Sequence, residues 1–336
     1  MLRILHNTRY DFIGLRYWTY GLTALFVVPG IIYMAIAGFR YSIEFTGGTL
    51  MQVQFRQAPD VGELRATLSA AGMEGAEIQS FGSATEYVIR AQDAEHVAQQ
   101  SRGAENVSEV IRGALTRKYG AGSFRVVRTE AVGPKVGAEL RQRALYAILI
   151  SFLVTMVYLA WRFEWRFGVA AILATAHDIL ATLAFIKYLD LEVSLVVVGA
   201  ILTMIGYSLN DTIVIFDRVR ENLHKKRKES LYDTLNRSVN ETLPRTVLTS
   251  VTTVATLLAL ALVGGVVIRP FALVMLFGVV TGTFSSIFVA APVLLLIETR
   301  WPRALGDKGG VGLRSHAATA SPRKESAKVA QPAGRR

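Results

Sequence analysis

Ionisable side chains set inside long apolar runs are where this sequence concentrates its chemistry, because each costs about 2.5–3.5 kcal/mol to place at membrane depth. His177 and Asp178 stand midway along the apolar run 167–189, flanked by Ala174, Thr175, Ala176 and Ile179, out of reach of water at either end. Histidine titrates near neutral pH, and His and Asp are common in proton paths. A hydrogen-bonded pair that only locks helix packing would use the same residues, and both readings stand at this point. The second place is Gly206-Tyr207-Ser208-Leu209-Asn210-Asp211-Thr212, which interrupts an Ile/Leu/Val stretch. Asp211 lies about five residues, roughly 8 Å, from the inner end of that stretch, so its carboxylate needs a partner. Arg245 opens the next apolar run and is the expected one, since consecutive antiparallel helices bring those ends together. A snorkelling interfacial anchor is the other reading of Arg245.

Hydroxyls recur at helical spacing after Arg245: Thr246, Thr249, Ser250, Thr253 and Thr256, with Thr252 beside them. On a helix most of these share one stripe. Such a stripe either joins helices or, facing Asp211, makes a hydrogen-bonding seam along which a proton moves. Gly278 and Gly282 have GxxxG spacing and are followed by Thr283, Ser285 and Ser286, which reads as close helix packing.

The elements that must hold these residues are transmembrane helices. The chain has 336 residues, is 51% apolar and has a mean hydropathy of +0.35. Six stretches are long enough to cross a hydrocarbon core: about 18–38, 144–161, 167–189, 193–216, 246–264 and 271–297. The first is too long, and lacks a small-residue cleavage site, for a cleaved signal peptide; it reads as an anchor. Basic residues mark the inner side. Arg3, Arg9 and Arg16 precede span one, Arg162 and Arg166 follow span two, eight basic residues lie from Asp217 to Arg245, and nine lie from Arg300 onward. The turns near Lys187 and Arg269 carry one each. Both termini are therefore expected in the cytoplasm. The net charge of +11 reports topology and not nucleic-acid binding, since residues 39–143 hold 13 basic and 12 acidic side chains. Zero cysteines exclude disulfides and thiolate metal sites.

Between spans one and two the pattern turns to short periodic elements. A strand is expected at Thr49–Phe55, a helix at Val61–Ala71, strands at Glu77–Phe81 and Glu86–Ala91, a helix at Ala104–Tyr119 and a strand at Phe124–Ala131. The order βαββαβ is that of a ferredoxin-like α+β domain. The expected fold is thus an all-α membrane bundle with a ferredoxin-like domain outside the membrane. Its divisions are a cytoplasmic segment 1–17, span one at 18–38, the outer domain 39–143, spans two to six within 144–299, and a disordered basic tail 300–336.

No GxxxxGK[ST], HExxH or GxSxG motif occurs, which argues against an ATPase of that type, a metalloprotease or a serine hydrolase. Five segments in order resemble the SecF family, the smaller subunit of the bacterial protein-export complex SecDF. Phe45-Thr46-Gly47-Gly48-Thr49 resembles its FxGG motif, and Val132 to Gly137 (VGPKVG) the approach to its second span. His177-Asp178 resembles its HD pair, Gly206 to Glu221 (GYSLNDTIVIFDRVRE) its fourth span, and Arg245 to Thr253 (RTVLTSVTT) its fifth. Phe284 departs from the Tyr usual in the family's GTYSS run, and the basic tail is not a family hallmark. Thr46 to Thr49 reads as a turn into the first strand rather than a hinge.

The resemblance implies half of a twelve-helix unit similar to resistance-nodulation-division (RND) transporters, in the bacterial inner membrane. SecD is the implied partner, with the SecYEG channel, YajC, YidC, the translocating preprotein and membrane lipids around it. It implies a proton-driven accessory of export, not an enzyme, with no cofactor and H⁺ as the coupling ion. Asp211 and Arg245 become the proton-handling carboxylate and its basic partner, with Asp178, His177, Asn210 and Thr253 completing the relay. Phe45, Gly47, Gly48, Gly206, Gly278 and Gly282 are the structural motif positions. Two other readings compete: half of a small-molecule or lipid exporter, against which a domain of about a hundred residues argues, and a scaffold whose buried polar groups serve packing.

Overall fold

A computed structural model describes residues 8–91, 103–225 and 229–301. The tail expected to be disordered falls, from residue 302 onward, outside the described residues.

Six helical stretches are long and apolar enough to span a membrane. They are α1 (Arg16–Ala37), α5 (Pro134–Arg162), α6 (Trp165–Tyr188), α7 (Leu195–Lys225), α8 (Leu231–Val263), and α9 (Gly265–Ser285) continued through a π-helical turn, Ser286–Ala290, into α10 (Ala291–Arg300). Between α1 and α5 lie a single helical turn α2 (Ile43–Thr46), β1 (Gly48–Phe55), α3 (Val61–Ala70), β2 (Glu77–Phe81), β3 (Ser83–Ala91), α4 (Gly103–Tyr119) and β4 (Phe124–Val132).

The strands form one antiparallel sheet in the order β2-β3-β1-β4, the ferredoxin-like arrangement. Alternation along β1 sends Met51, Val53 and Phe55 to one face, where Leu64 and Leu68 of α3 and Ile111 and Leu115 of α4 cover them. Asp60 caps α3 by accepting from the Glu63 amide at 2.8 Å. At its other end the chain turns through Gly72, whose φ of +85° suits glycine.

In the bundle α7 is central, packed against α6, α8 and α9. Its core side carries Val197, Ile201, Met204, Ile205, Ile215, Phe216 and Val219. By contrast, 6% of the most apolar window of α1 and 11% of that of α5 is buried, against 56% for α7. The four tryptophans, Trp18, Trp161, Trp165 and Trp301, are exposed at helix ends that alternate topology puts on one side of the bundle, the position of an interfacial aromatic belt.

Three expected boundaries differ. The stretch from Asp217 to Arg245, expected as a connection, is mostly helix. Hydropathy ends near residue 216, but the polar extensions of α7 and α8 pack on each other. Asn222 donates to Ser238 at 3.0 Å and Arg218 pairs with Glu241 at 2.6 Å, above a stripe of Val219, Leu223, Leu235 and Val239. Likewise α5 is helical from Pro134, ten residues before the expected span, because its first turns are polar and show no hydropathy signal. The segment before β1 holds the one-turn helix α2, too short to leave a periodicity.

Candidate functional site

Asp178 is fully buried in α6. Its Oδ2 accepts from the Ser208 hydroxyl of α7 at 2.5 Å and from the Ser285 hydroxyl of α9 at 2.7 Å, and its Oδ1 lies 3.0 Å from Nδ1 of His177. Three helices thus converge on one carboxylate. The Nε2 of His177 is buried with no partner among the described residues.

Asp211 is buried on the same helix as Ser208, three residues on. Its Oδ2 accepts from Thr283 at 3.4 Å, and Thr283 is in turn 2.6 Å from the hydroxyl of Ser250 in α8. Thr212 and Ser286, each adjacent in sequence to a residue of these clusters, meet at 2.8 Å, and both hydroxyls reach the Ser208 carbonyl at 3.5 Å. The π-helical turn begins at Ser286, directly after Ser285; such turns interrupt helices most often at functional positions.

The expected ion pair is absent. Arg245 is exposed and forms no ion pair with Asp211 within 4.0 Å. The cause is rotation along α8: Thr246 and Ser250 face the bundle, and Arg245, one residue from Thr246, stands about 100° away. Asn210 and Gly206 are exposed together on the outer flank of α7 and do not join the cluster. Thr253 is bonded across helices, accepting from the Tyr207 hydroxyl at 3.2 Å, and among the described residues it is not bonded to Asp211 or Thr283. Of the expected hydroxyl stripe, Ser250 alone is bonded to the Asp211 cluster. Thr249, Thr252 and Thr256 bond to their own helix, and the buried Thr246 hydroxyl has no partner among the described residues.

Gly278 and Gly282 provide the clearance that lets α9 reach α7. A Cβ at Gly282 would stand 2.7 Å from Cβ of Ser208, and one at Gly278 2.2 Å from Cγ of Met204. Thr283 and Ser285, expected only to pack, donate to the two carboxylates, and Ser286 bonds to Thr212. Sequence spacing showed the hydroxyls and the small residues but not that the former serve the carboxylates of other helices. Phe284 packs on Phe288, ring centroids 4.9 Å apart.

The motif glycines near the sheet meet a second motif. Phe45 is buried, Gly47 and Gly48 take φ of +76° and +122°, and a Cβ on Gly137 would lie 2.8 Å from the Gly47 nitrogen. The FTGG turn and the VGPKVG entry to α5 are therefore one packed unit. Among the described residues no three His, Asp or Glu side chains gather as a metal site.

The family model "Protein export membrane protein SecD/SecF, C-terminal" matches residues 112–300, and the "SecD/SecF GG Motif" matches residues 32–59. The protein translocase subunit SecF of Gemmatimonas aurantiaca is 60% identical over 307 residues, 90% of this chain and 91% of that one. This chain belongs to the SecF family. The SecF of Desulfurispirillum indicum is 43% identical over 86% of this chain and 92% of its own. The crystal structure of SecDF from Thermus thermophilus, described as a translocon-associated membrane protein, superposes with a TM-score of 0.77 at 34% identity. It covers 89% of this chain, which spans 40% of that longer one. With this membership the six-helix, multi-pass architecture is that of a translocase subunit, not an enzyme.

Proposed function

We propose that this chain is the SecF half of a proton-driven export machine. Paired with SecD beside the SecYEG channel, with YajC and YidC adjoining, it draws on the proton-motive force to help preproteins complete their crossing. In this reading it lies in the bacterial inner membrane with both termini cytoplasmic and residues 39–143 forming the outer domain. The loop charges support that orientation. SecD as partner is supported by solved relatives that carry a SecF-like part within a longer SecDF chain.

The observation that carries the proposal is a pair of buried carboxylates bound by hydroxyls of neighbouring helices rather than by cations. Asp211 and Asp178 are the proton-carrying groups, and His177, Ser208, Thr283 and Ser285 are the groups that reorient when a proton arrives. A protonated carboxyl donates where the carboxylate accepted, so proton arrival resets bonds that join α6, α7, α8 and α9.

The test is export from membrane vesicles with and without a proton gradient, comparing wild type with Asp211→Asn. The variant is expected to insert and co-purify with SecD but to lose the gradient-dependent increment. A full increment overturns the proposal, and loss of SecD co-purification favours the scaffold reading. Sensitivity of a deletion strain to efflux substrates would instead favour a small-molecule exporter.

A further inference from the structure

The sheet domain is covalently attached through α1 and α5, the two loosely packed helices, whereas the buried carboxylates sit on and around α7. A non-covalent connection joins them. The loop 189–194, which leads from α6 into α7, runs alongside the segment that leads from α1 into α2. The Val193 amide donates to the Arg40 carbonyl at 2.8 Å and the Ser42 amide to the Val193 carbonyl at 2.9 Å. Arg40 pairs with Asp190 at 3.0 Å, and Arg90, from the central strand β3, pairs with Glu192. Glu44, within α2, accepts from the amide of Leu195, the first residue of α7, at 2.6 Å. A carboxylate there also meets the positive end of that helix.

Two further features make this a joint rather than a casual contact. Asp190 holds a φ of +47°, in the region that favours glycine, closing α6 through bonds from Asp190 to Lys187 and from Leu191 to Ile186. Its side chain is thereby fixed toward Arg40. On the domain side, Gly137 presses on the backbone of Phe45 and Gly47, so α2 cannot shift without β1 and α5. Sixteen residues of continuous helix, about 24 Å, separate Leu195 from Asp211.

We infer that loop 189–194 is the joint through which a change at the buried carboxylates reaches the sheet domain, with Arg90, Glu192, Arg40, Asp190 and Glu44 as its positioning residues. Movement of α7 along or about its axis carries the loop, and the loop carries the domain through β3 and α2. This rests on the proposed proton coupling and adds the route that the coupling takes.

The experiment uses the whole chain in complex with SecD in proteoliposomes. The chain has no cysteine, so Gln79→Cys on β2 accepts a single spin label that reports domain mobility. Label spectra and export are recorded with and without a proton gradient for wild type, Arg90→Glu, Glu192→Arg, the double reversal and Glu44→Ala. Each single variant is expected to lose at least five-fold of the gradient-dependent spectral change and export increment, and the double reversal to recover both. A stable, SecD-bound single variant that keeps the full gradient response overturns the joint, as does a double reversal that assembles without recovery. Should the charge reversals fail to assemble, Glu44→Ala decides by the same two readouts. A wild-type label that ignores the gradient while export responds overturns the joint alone, and wild-type export that ignores the gradient overturns the underlying coupling as well, which separates the two failures.

Discussion

Gly282→Ala puts the α7–α9 seam to its sharpest test. The added Cβ would stand 2.7 Å from Cβ of Ser208, 3.0 Å from its Oγ and 3.1 Å from its Cα. Carbon atoms in contact prefer about 3.5–4.0 Å, so the helices must separate by about 1 Å. None of the relief can come from a flexible side chain, because Ser208 has no atoms beyond its hydroxyl. That separation stretches the 2.8 Å bond between Thr212 and Ser286, which crosses the same seam, to about 3.8 Å, where it ceases to be a hydrogen bond. Overpacking costs about 1–3 kcal/mol and a helix-to-helix bond in a bilayer about 0.6–1.7 kcal/mol, giving about 2–5 kcal/mol together. Gly278→Ala is the control. Its nearest atom is closer, 2.2 Å, but is Cγ of Met204, a side chain with three rotatable bonds, so the expected cost is about 1 kcal/mol. Titration from mild detergent into denaturing detergent, followed by tryptophan fluorescence, measures both. Equal losses, or a larger one for Gly278→Ala, would refute the reasoning.

Ser208→Ala and Ser285→Ala should each cost about 0.6–1.7 kcal/mol in the same assay. The double variant should cost more than their sum, because Asp178 then keeps His177 alone; a double-mutant cycle reads this directly. Asp60→Ala should cost the sheet domain about 1 kcal/mol, seen as faster amide exchange confined to α3. The Arg40 guanidinium holds the Asp190 carboxyl below its ordinary value of 3.8, with lesser help from Lys187. A depressed folded value stabilises above the unfolded one and is lost as pH falls through it. Asp190→Asn should therefore cost the same at pH 5 and pH 8 and nothing once Asp190 is protonated in both states. The pair is nearly half exposed, so the cost should stay below about 1 kcal/mol, measured as thermal stability across a pH series.

Hydropathy and periodicity carried the six spans and the order βαββαβ, because burial in lipid and one-faced burial in a sheet both leave a repeat in the sequence. What left no repeat was less legible. The polar ends of α7 and α8 pair with each other rather than with lipid, so Asn222, Arg218 and Glu241 looked like connection residues. At the site, depth pointed correctly to Asp178 and Asp211 as buried carboxylates. Their partners were harder to find, because a helix's rotation about its axis decides whether Arg245 or Thr246 faces inward, and a single residue's difference moves a side chain by about 100°. The stripe after Arg245 offered six hydroxyls with nothing to mark Ser250 as the one bonded to Thr283. Hydroxyls three to four residues apart beside a GxxxG pair, opposite a carboxylate in another span, are the pattern that would have revealed it.

Hydroxyl partners also bear on why the absent ion pair matters. A buried Asp bonded directly to Arg is held in place, since removing either charge strands the other at about 3–5 kcal/mol. A serine or threonine hydroxyl can donate to a carboxylate and accept from a carboxyl, so protonation rearranges the bonds without leaving a partner unsatisfied. Asp178 and Asp211 are both arranged this way, and both draw a donor from α9, through Ser285 and Thr283. Their two clusters are therefore read by the same pair of helices, α7 and α9, whose approach at Gly282 leaves no slack. Under those conditions a reset of bonds at either carboxylate is accommodated by shift or rotation of α7 against α9. The end of α7 that such a movement displaces is the end clasped by Glu44.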